Sequence, residues 1–406
     1  MTGRFGRCRR IAAALLTAVA CQSAPPARAA TPPDTTARAS GVVTWAASAD
    51  RMGEGTAGQG YRLVVHTSTG GSDLRVRFTN AFGDRPLTLD GVHAGLRARG
   101  AALRPGSNRP LTFGGARTVT VPAGAVAWSD PLPGRVPAGT DLVISLHTPD
   151  AAGPATGHWM AMQTSYTAQG EHTAEESDAN WTRLTGSWWY VDSVTVRPAR
   201  PAGGAVVALG DSLTDGWQST TDLNRRWPDY LARRLTAVGG AVRGVANAGV
   251  SGNRILADGA GQAALRRLDR DVLSQPGVRT VFLFEGVNDL KAHSGVTAAD
   301  LVTGYREIAR RAHAAGKCVV AATVGPFKGW PEWDPAAEAV RQEVNRFLRG
   351  SPDFDAVTDF DHVLRSPYDP ERLLPFFDGG DHIHPNDKGM QAMADAVGLD
   401  SLDCAR

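Results

Sequence analysis

Four short motifs with chemically useful side chains follow one another in the second half of this 406-residue chain. Val206-Val207-Ala208-Leu209-Gly210 runs into Asp211-Ser212-Leu213, an apolar run ending at a serine. Such a run reads as a buried strand that delivers the Ser212 hydroxyl to a sheet edge. Gly252 follows in Val250-Ser251-Gly252-Asn253, then Asn288 in Gly286-Val287-Asn288-Asp289, then Asp381-His382-Ile383-His384-Pro385. A serine hydroxyl is a poor nucleophile until a base takes its proton in the transition state. His384 is the candidate base, and Pro385 biases it toward an extended conformation ahead of a final helix. Asp381 can turn back onto the imidazole Nδ1, which selects the tautomer whose Nε2 faces serine. A tetrahedral intermediate also needs donors for its oxyanion. The backbone N–H groups of Ser212 and Gly252 and the side-chain amide of Asn288 are suitable types. Together these residues could carry out acyl transfer to water through Ser212.

The same residues admit other readings. An α/β-hydrolase elbow requires Gly-x-Ser-x-Gly, and no such pentapeptide occurs in the chain. His382 and His384 could form part of a metal site, but the sequence offers no second His/Asp-rich cluster, so neither metal nor cofactor is expected. His382 is instead expected to pack beside the site or to touch substrate. Asn288-Asp289 could cap the helix or turn that follows, a role better suited to Asp289. Trp217, Trp330 and Trp333 fall on loops near the expected catalytic edge and could line an acyl or glycosyl pocket. Trp188-Trp189-Tyr190 could present a face to sugars, or serve core and domain-interface packing.

The elements that must position these groups change character near Gly204. From about Val42 to Val196 the dominant period is two, which predicts half-buried strands at Arg62–Thr67, Leu74–Thr79, Leu87–Asp90, Thr118–Val121, Leu142–Leu146 and Val191–Val196. Glycine- and proline-rich turns separate them, the signature of an antiparallel sandwich. Arg197–Gly204 then reads as a connection. Beyond it, short apolar runs at Ala205–Leu209, Thr280–Phe284 and Cys318–Thr323, with a weaker one at Ala356–Asp359, read as strands covered on both faces. Helical spacing marks Trp227–Ala237, Ala299–Ala314, Pro335–Leu348 and Asp387–Val397. This is the grammar of a doubly wound, parallel α/β domain, whose ligands sit beyond the carboxyl ends of the strands. The expected organisation is a leader at 1–30, a linker at 31–40, an all-β sandwich at 41–198 and an α/β catalytic domain at 204–406.

The leader is read from Arg4, Arg7, Arg9 and Arg10 ahead of the apolar Ile11–Ala20, with small residues at Ala27-Arg28-Ala29 for cleavage. Export is therefore expected. Arg9-Arg10 allows a twin-arginine variant, and Cys21 after Ala18-Val19-Ala20 a lipid-anchored one. The apolar stretch is about half of the ~20 residues a spanning helix needs. Two cysteines, Cys318 and Cys404, remain in the mature chain, and an oxidising compartment suggests that they pair, with two unpaired thiols as the alternative. A formal net charge of +2, from 43 basic and 41 acidic side chains, offers no electrostatic case for nucleic acid or an anionic membrane. A monomer acting on a small-molecule or polysaccharide-linked ester is the expectation.

Gly210-Asp211-Ser212-Leu213, Asn247–Gly252, Gly286-Val287-Asn288-Asp289 and Asp381-x-x-His384 resemble the four blocks of the SGNH hydrolase superfamily, the GDSL-type esterases and lipases. The resemblance covers about 204–400. It implies a flavodoxin-like α/β fold, Ser212 as nucleophile, Gly252 and Asn288 as oxyanion donors, His384 as base and Asp381 as its orienting acid. More loosely, with Thr44–Ser48 and Asn80–Leu87, the whole chain is similar to two-domain secreted actinobacterial members. A secreted ester hydrolase acting on short acyl groups or acetylated carbohydrate is expected; a lipase for longer chains and a polysaccharide-binding protein are the alternatives.

Overall fold

Val206–Leu209 form the middle of a five-stranded parallel sheet, each at most 1% exposed. In this computed structural model, residues 1–2, 41–199, 202–239, 242–291 and 294–403 are described. The expected leader beyond Thr2, the linker, and Cys8, Cys21 and Cys404 lie outside them, as does the expected Cys318–Cys404 pairing. Met1 and Thr2, of the unit Met1–Asp34, carry no regular element; the described residues from Gly41 to Asp403 fall in one compact unit.

The parallel sheet runs Val242–Gly249, Ala202–Gly210, Val278–Phe284, Cys318–Ala322, Ala356–Thr358 across its width. Numbered along the chain, that is order 2-1-3-4-5. The order reverses beside Ala202–Gly210, and the crevice at that reversal is where ligands settle in open α/β sheets. Helices Trp227–Val238, Ala298–Ala314, Pro335–Gly350 and Asp387–Ala396 match the four stretches expected from helical spacing within two residues at each end. Their apolar stripes join the sheet's core, where Trp227 packs on Phe282 at 4.7 Å and Phe360 on Phe284 at 4.9 Å between ring centroids.

The sequence reading passed over the strand Val242–Gly249. Arg243, Gly244 and Asn247 interrupt its apolar run because it is the edge of the parallel sheet. That edge is covered by the β-rich region: a Cβ on Gly244 would lie 1.9 Å from the Val43 carbonyl oxygen, so only glycine permits the approach. Val245 N–H donates to Ser68 Oγ at 2.9 Å, and Ser68 Oγ donates to the Thr44 carbonyl at 2.6 Å. An edge closed in this way offers no free ladder to another chain.

Residues 42–197 are mostly antiparallel strands. One sheet orders Val42–Ala46, Val191–Arg197, Gly71–Thr79 and Leu132–Val136; a larger one centres on Gln59–His66, Asp141–Thr148 and Leu87–Arg99. Asp141–Thr148 pairs with Gln59–His66 without a register break. Leu63, Ile144 and Leu89 from the larger sheet share an apolar core with Val76 and Val194 from the first. Every expected strand is present. Leu87–Arg99 runs well beyond the expected Asp90, because Gly91 and His93 break the alternation at a register shift on either side of which the strand still pairs with Asp141–Thr148.

Candidate active site

Strand Ala202–Gly210 ends in a four-residue helix, Ser212–Asp215. Asp211 caps it by accepting the Leu213 N–H at 2.9 Å. Ser212 is thus the first helical residue, where the backbone N–H has no partner within the helix. Its Oγ lies 2.8 Å from His384 Nε2. His384 is held from the other side of the site by a tight turn: Asp381 Oδ1 accepts its backbone N–H at 2.9 Å, and Oδ2 meets its ring Nδ1 at 2.7 Å. Asn386 then caps the helix Asp387–Ala396, fixing the turn on rigid structure. Because the carboxylate accepts a hydrogen bond from the protonated Nδ1, the Nε2 lone pair faces the serine hydroxyl, which donates to it.

Burial holds the His384 imidazole below its ordinary pKa, against the hydrogen bond and charge of Asp381, while nearby Lys291 adds to the lowering. Burial opposes the Asp381 carboxylate too, but hydrogen bonds from the His384 backbone and ring and from Gln218 outweigh it and keep the acid ionised below the usual range. The pair is set to work as carboxylate and neutral imidazole.

Gly252 adopts φ +80°, a left-handed conformation open to glycine, and a Cβ there would meet Ala260 at 2.9 Å. Asn253, the next residue, receives the Asn288 side-chain amide on its carbonyl at 2.8 Å. That uses one of the two amide hydrogens of Asn288 and brings the asparagine beside the glycine. Asp289 does not cap a following helix as expected. It accepts the backbone N–H groups of Ile255 and Leu256 at 2.8 and 3.1 Å and so clamps the loop that carries Gly252.

Trp217 and Trp330 both stand edge-on to the His384 ring, at 6.4 and 5.8 Å between centroids. Lys291 Nζ lies 4.7 Å from the centre of the Trp330 ring, which brings a cation to the site that the sequence reading passed over. His382 turns away from Ser212 chemistry onto Asp378, with Nδ1 2.7 Å from Oδ2, and its ring is half exposed. Trp188 belongs to the interior: it is buried, packs edge-on to Trp45 at 4.9 Å and donates its indole N–H to the Val64 carbonyl.

Sequence reasoning also missed Arg267. Its guanidinium is buried beneath the site and donates to the carbonyls of Gly210 and Ala248, to Asn253 Oδ1 and to Ser48 Oγ, at 2.6–2.9 Å. It therefore ties the ends of two parallel strands to the Gly252 loop and to the β-rich region. It also stands between buried carboxyls: Glu285 Oε2 is 3.4 Å away, and burial pushes Glu285 and Asp211 upward. The host helix, Ala264–Leu268, has five residues, too few for a helical period to show in the sequence.

Among the described residues, no helix is long and apolar enough to cross a membrane. No curated protein matches the chain. Solved structures similar to it include the aryl esterase of M. smegmatis, 19% identical over 48% of this chain and 95% of that one, with a TM-score of 0.40. A carbohydrate acetylesterase from Sinorhizobium meliloti is 19% identical over 47% of this chain and 94% of that one, with a TM-score of 0.36. A member of the lipolytic G-D-S-L family from Veillonella parvula is 19% identical over 47% and 94%, with a TM-score of 0.37. Residues 208–392 match the model of the GDSL-like lipase/acylhydrolase family, a span that takes in Ser212, Gly252, Asn288, Asp381 and His384. Over that span the chain is similar to hydrolases of the GDSL/SGNH type.

Proposed function

We propose that the protein is an exported carboxylic ester hydrolase that works through an acyl-enzyme on Ser212 and takes short acyl groups, as on acetylated carbohydrate. The observation that carries this reading is the continuous line Ser212 Oγ, His384 Nε2 and Nδ1, Asp381 Oδ2, with spacings of 2.8 and 2.7 Å. Ser212 Oγ attacks the ester carbonyl as its proton passes to His384 Nε2. The oxyanion is met by the N–H groups of Ser212 and Gly252 and by the Asn288 hydrogen not used on Asn253. Collapse expels the alcohol, which takes the proton from His384. Water then attacks the acyl-enzyme with His384 as base, and the acid leaves with Ser212 restored.

Trp217 and Trp330, edge-on to the base, favour a small aromatic-walled seat for the acyl group. The basic and apolar leader supports export, and Cys21 leaves a lipid-anchored form open to a test by intact mass. Rates on p-nitrophenyl esters from C2 to C16, with acetylated xylan alongside, measure the acyl preference. A maximum at C2–C4 is expected, insensitive to EDTA. A maximum beyond C8 would replace the short-acyl reading with a lipase.

A further inference from the structure

His158 ends the strand Pro154–His158 in the β-rich region and is 5% exposed. Both of its ring nitrogens face oxygens. Nδ1 lies 3.0 Å from the Ser48 carbonyl; Nε2 lies 3.1 Å from the Met160 carbonyl and 2.9 Å from Asp215 Oδ1. A carbonyl oxygen only accepts, so Nδ1 must carry a proton, and so must Nε2 between a carbonyl and a carboxylate. A ring with both protons is an imidazolium.

Asp215, 3% exposed, closes the helix that Ser212 opens. Its second oxygen, Oδ2, accepts the Ser251 backbone N–H at 2.9 Å and the Ser251 hydroxyl at 2.7 Å. Ser251 immediately precedes Gly252. One carboxylate thus joins the nucleophile's helix to the glycine loop, and its other half is occupied by a cation from a different part of the chain.

We propose that His158, held as a buried imidazolium, is a positioning residue for ester hydrolysis: acting through Asp215, it fixes the Ser251–Gly252 backbone where the Gly252 N–H meets the oxyanion. The proposal rests on Ser212 as nucleophile. It gives the β-rich region a part in catalysis without contact to substrate.

The surroundings favour the cation. Trp188 lies 5.5 Å from the His158 ring, tilted by 34°. The pair borders a cavity of about 240 Å³ between the two regions, which His66, Arg226, Asp229 and Arg233 also line. Arg226 there is matched by Asp229 at 2.8 Å, and His66 by Asp141 at 2.7 Å. On the opposite side Asp50 and Arg51 line a groove with His158, and Arg267 reaches Ser48 Oγ. Asp215 is the carboxylate in contact. Burial by itself would push the imidazole down, but the charge and hydrogen bond of Asp215, joined by the Ser48 and Met160 carbonyls, hold it above its ordinary value. Alkaline pH that removes one proton leaves a nitrogen lone pair against an oxygen, frees the loop and lowers kcat.

Two measurements on the full chain test this. Imidazole ¹⁵N NMR of the wild type at pH 8, with the His158 signals assigned by their loss in His158→Gln, should show both nitrogens protonated. A neutral ring at that pH overturns the proposal. Hydrolysis of p-nitrophenyl acetate, normalised to sites titrated by a fluorophosphonate, gives the second. His158→Phe should lower kcat about tenfold or more with KM within about twofold, the range expected for a displaced catalytic loop. His158→Gln keeps an N–H toward Asp215 but does not titrate, so it should restore kcat to within about threefold and remove the alkaline fall. An unchanged kcat per titrated site in His158→Phe, or an alkaline fall that survives in His158→Gln, overturns it. Should His158→Phe fail to fold, the glutamine variant and the NMR still decide. A wild type that the fluorophosphonate does not titrate would instead remove the Ser212 reading and leave the NMR result standing.

Discussion

Two histidines hold a carboxylate at nearly the same distance, one at the rim of the parallel sheet and one at the seam with the β-rich region. His384 meets Asp381 at 2.7 Å and His158 meets Asp215 at 2.9 Å, and both rings are buried. Yet the first is pushed below its ordinary pKa and the second above it. The difference lies in what faces the remaining nitrogen. His384 turns it to a hydroxyl, which can donate, with a lysine nearby. His158 turns its remaining nitrogen to a carbonyl, which can only accept, and its Asp215-facing nitrogen meets a second carbonyl. One arrangement makes a base ready to take a proton; the other makes a fixed cation. A His–Asp pair is therefore not a catalytic signature until the third partner is known.

The comparison breaks most visibly at Ser212. Ser212→Ala should reduce hydrolysis of p-nitrophenyl acetate by about 10⁴-fold or more with an unchanged circular dichroism spectrum. Activity within tenfold of wild type would end the assignment of the rim as the reacting site. Asp381→Asn should cost about 10³–10⁴ in kcat, because the amide favours the wrong imidazole tautomer. It also removes the groups that raise the His384 pKa, so the acid limb of kcat/KM should move to lower pH. A limb that moves upward would show that Asp381 is not what opposes burial at His384.

Asn288→Ala, which deletes the proposed oxyanion donor and the tie to Asn253, should cost about 10²–10³ in kcat with a smaller change in KM. An effect confined to KM would place Asn288 in substrate binding instead. The smallest effect is in stability against pH, and its sign separates the two pairs. The His158 value is raised in the fold, so its contribution is complete below the ordinary value of about 6.5 and lost as pH rises through the raised one. The Asp381 value is lowered, so its contribution is present above about 3.9 and lost as pH falls through the folded value. Tm measured from pH 3 to pH 10 on wild type and His158→Gln should differ most at and below neutral pH and converge at the alkaline end. Parallel curves would contradict the imidazolium.

Much of the rim was legible because its information is local. Ser212 follows a continuous apolar run, and Asp381 reaches His384 within a single turn, so chain distance nearly equals spatial distance. The long helices were legible for the same reason: three or four turns give a 3.6-residue period room to repeat. The edge strand Val242–Gly249 was not, since its polar residues and Gly244 answer to the β-rich region packed on it rather than to the sheet's core.

The seam is where the tertiary structure decided. His158 and Asp215 lie 57 residues apart in the chain, and Arg267 reaches Ser48 across 219. Neither residue carries a motif, and a lone histidine in a strand reads as an ordinary satisfied polar group. The amino-acid sequence by itself determined which residue types stand at the strand ends and therefore what reaction they could perform. Only packing determined which oxygen faces which nitrogen. Protonation inside a protein is set by those contacts and by the loss of water, and neither is written in the order of the residues.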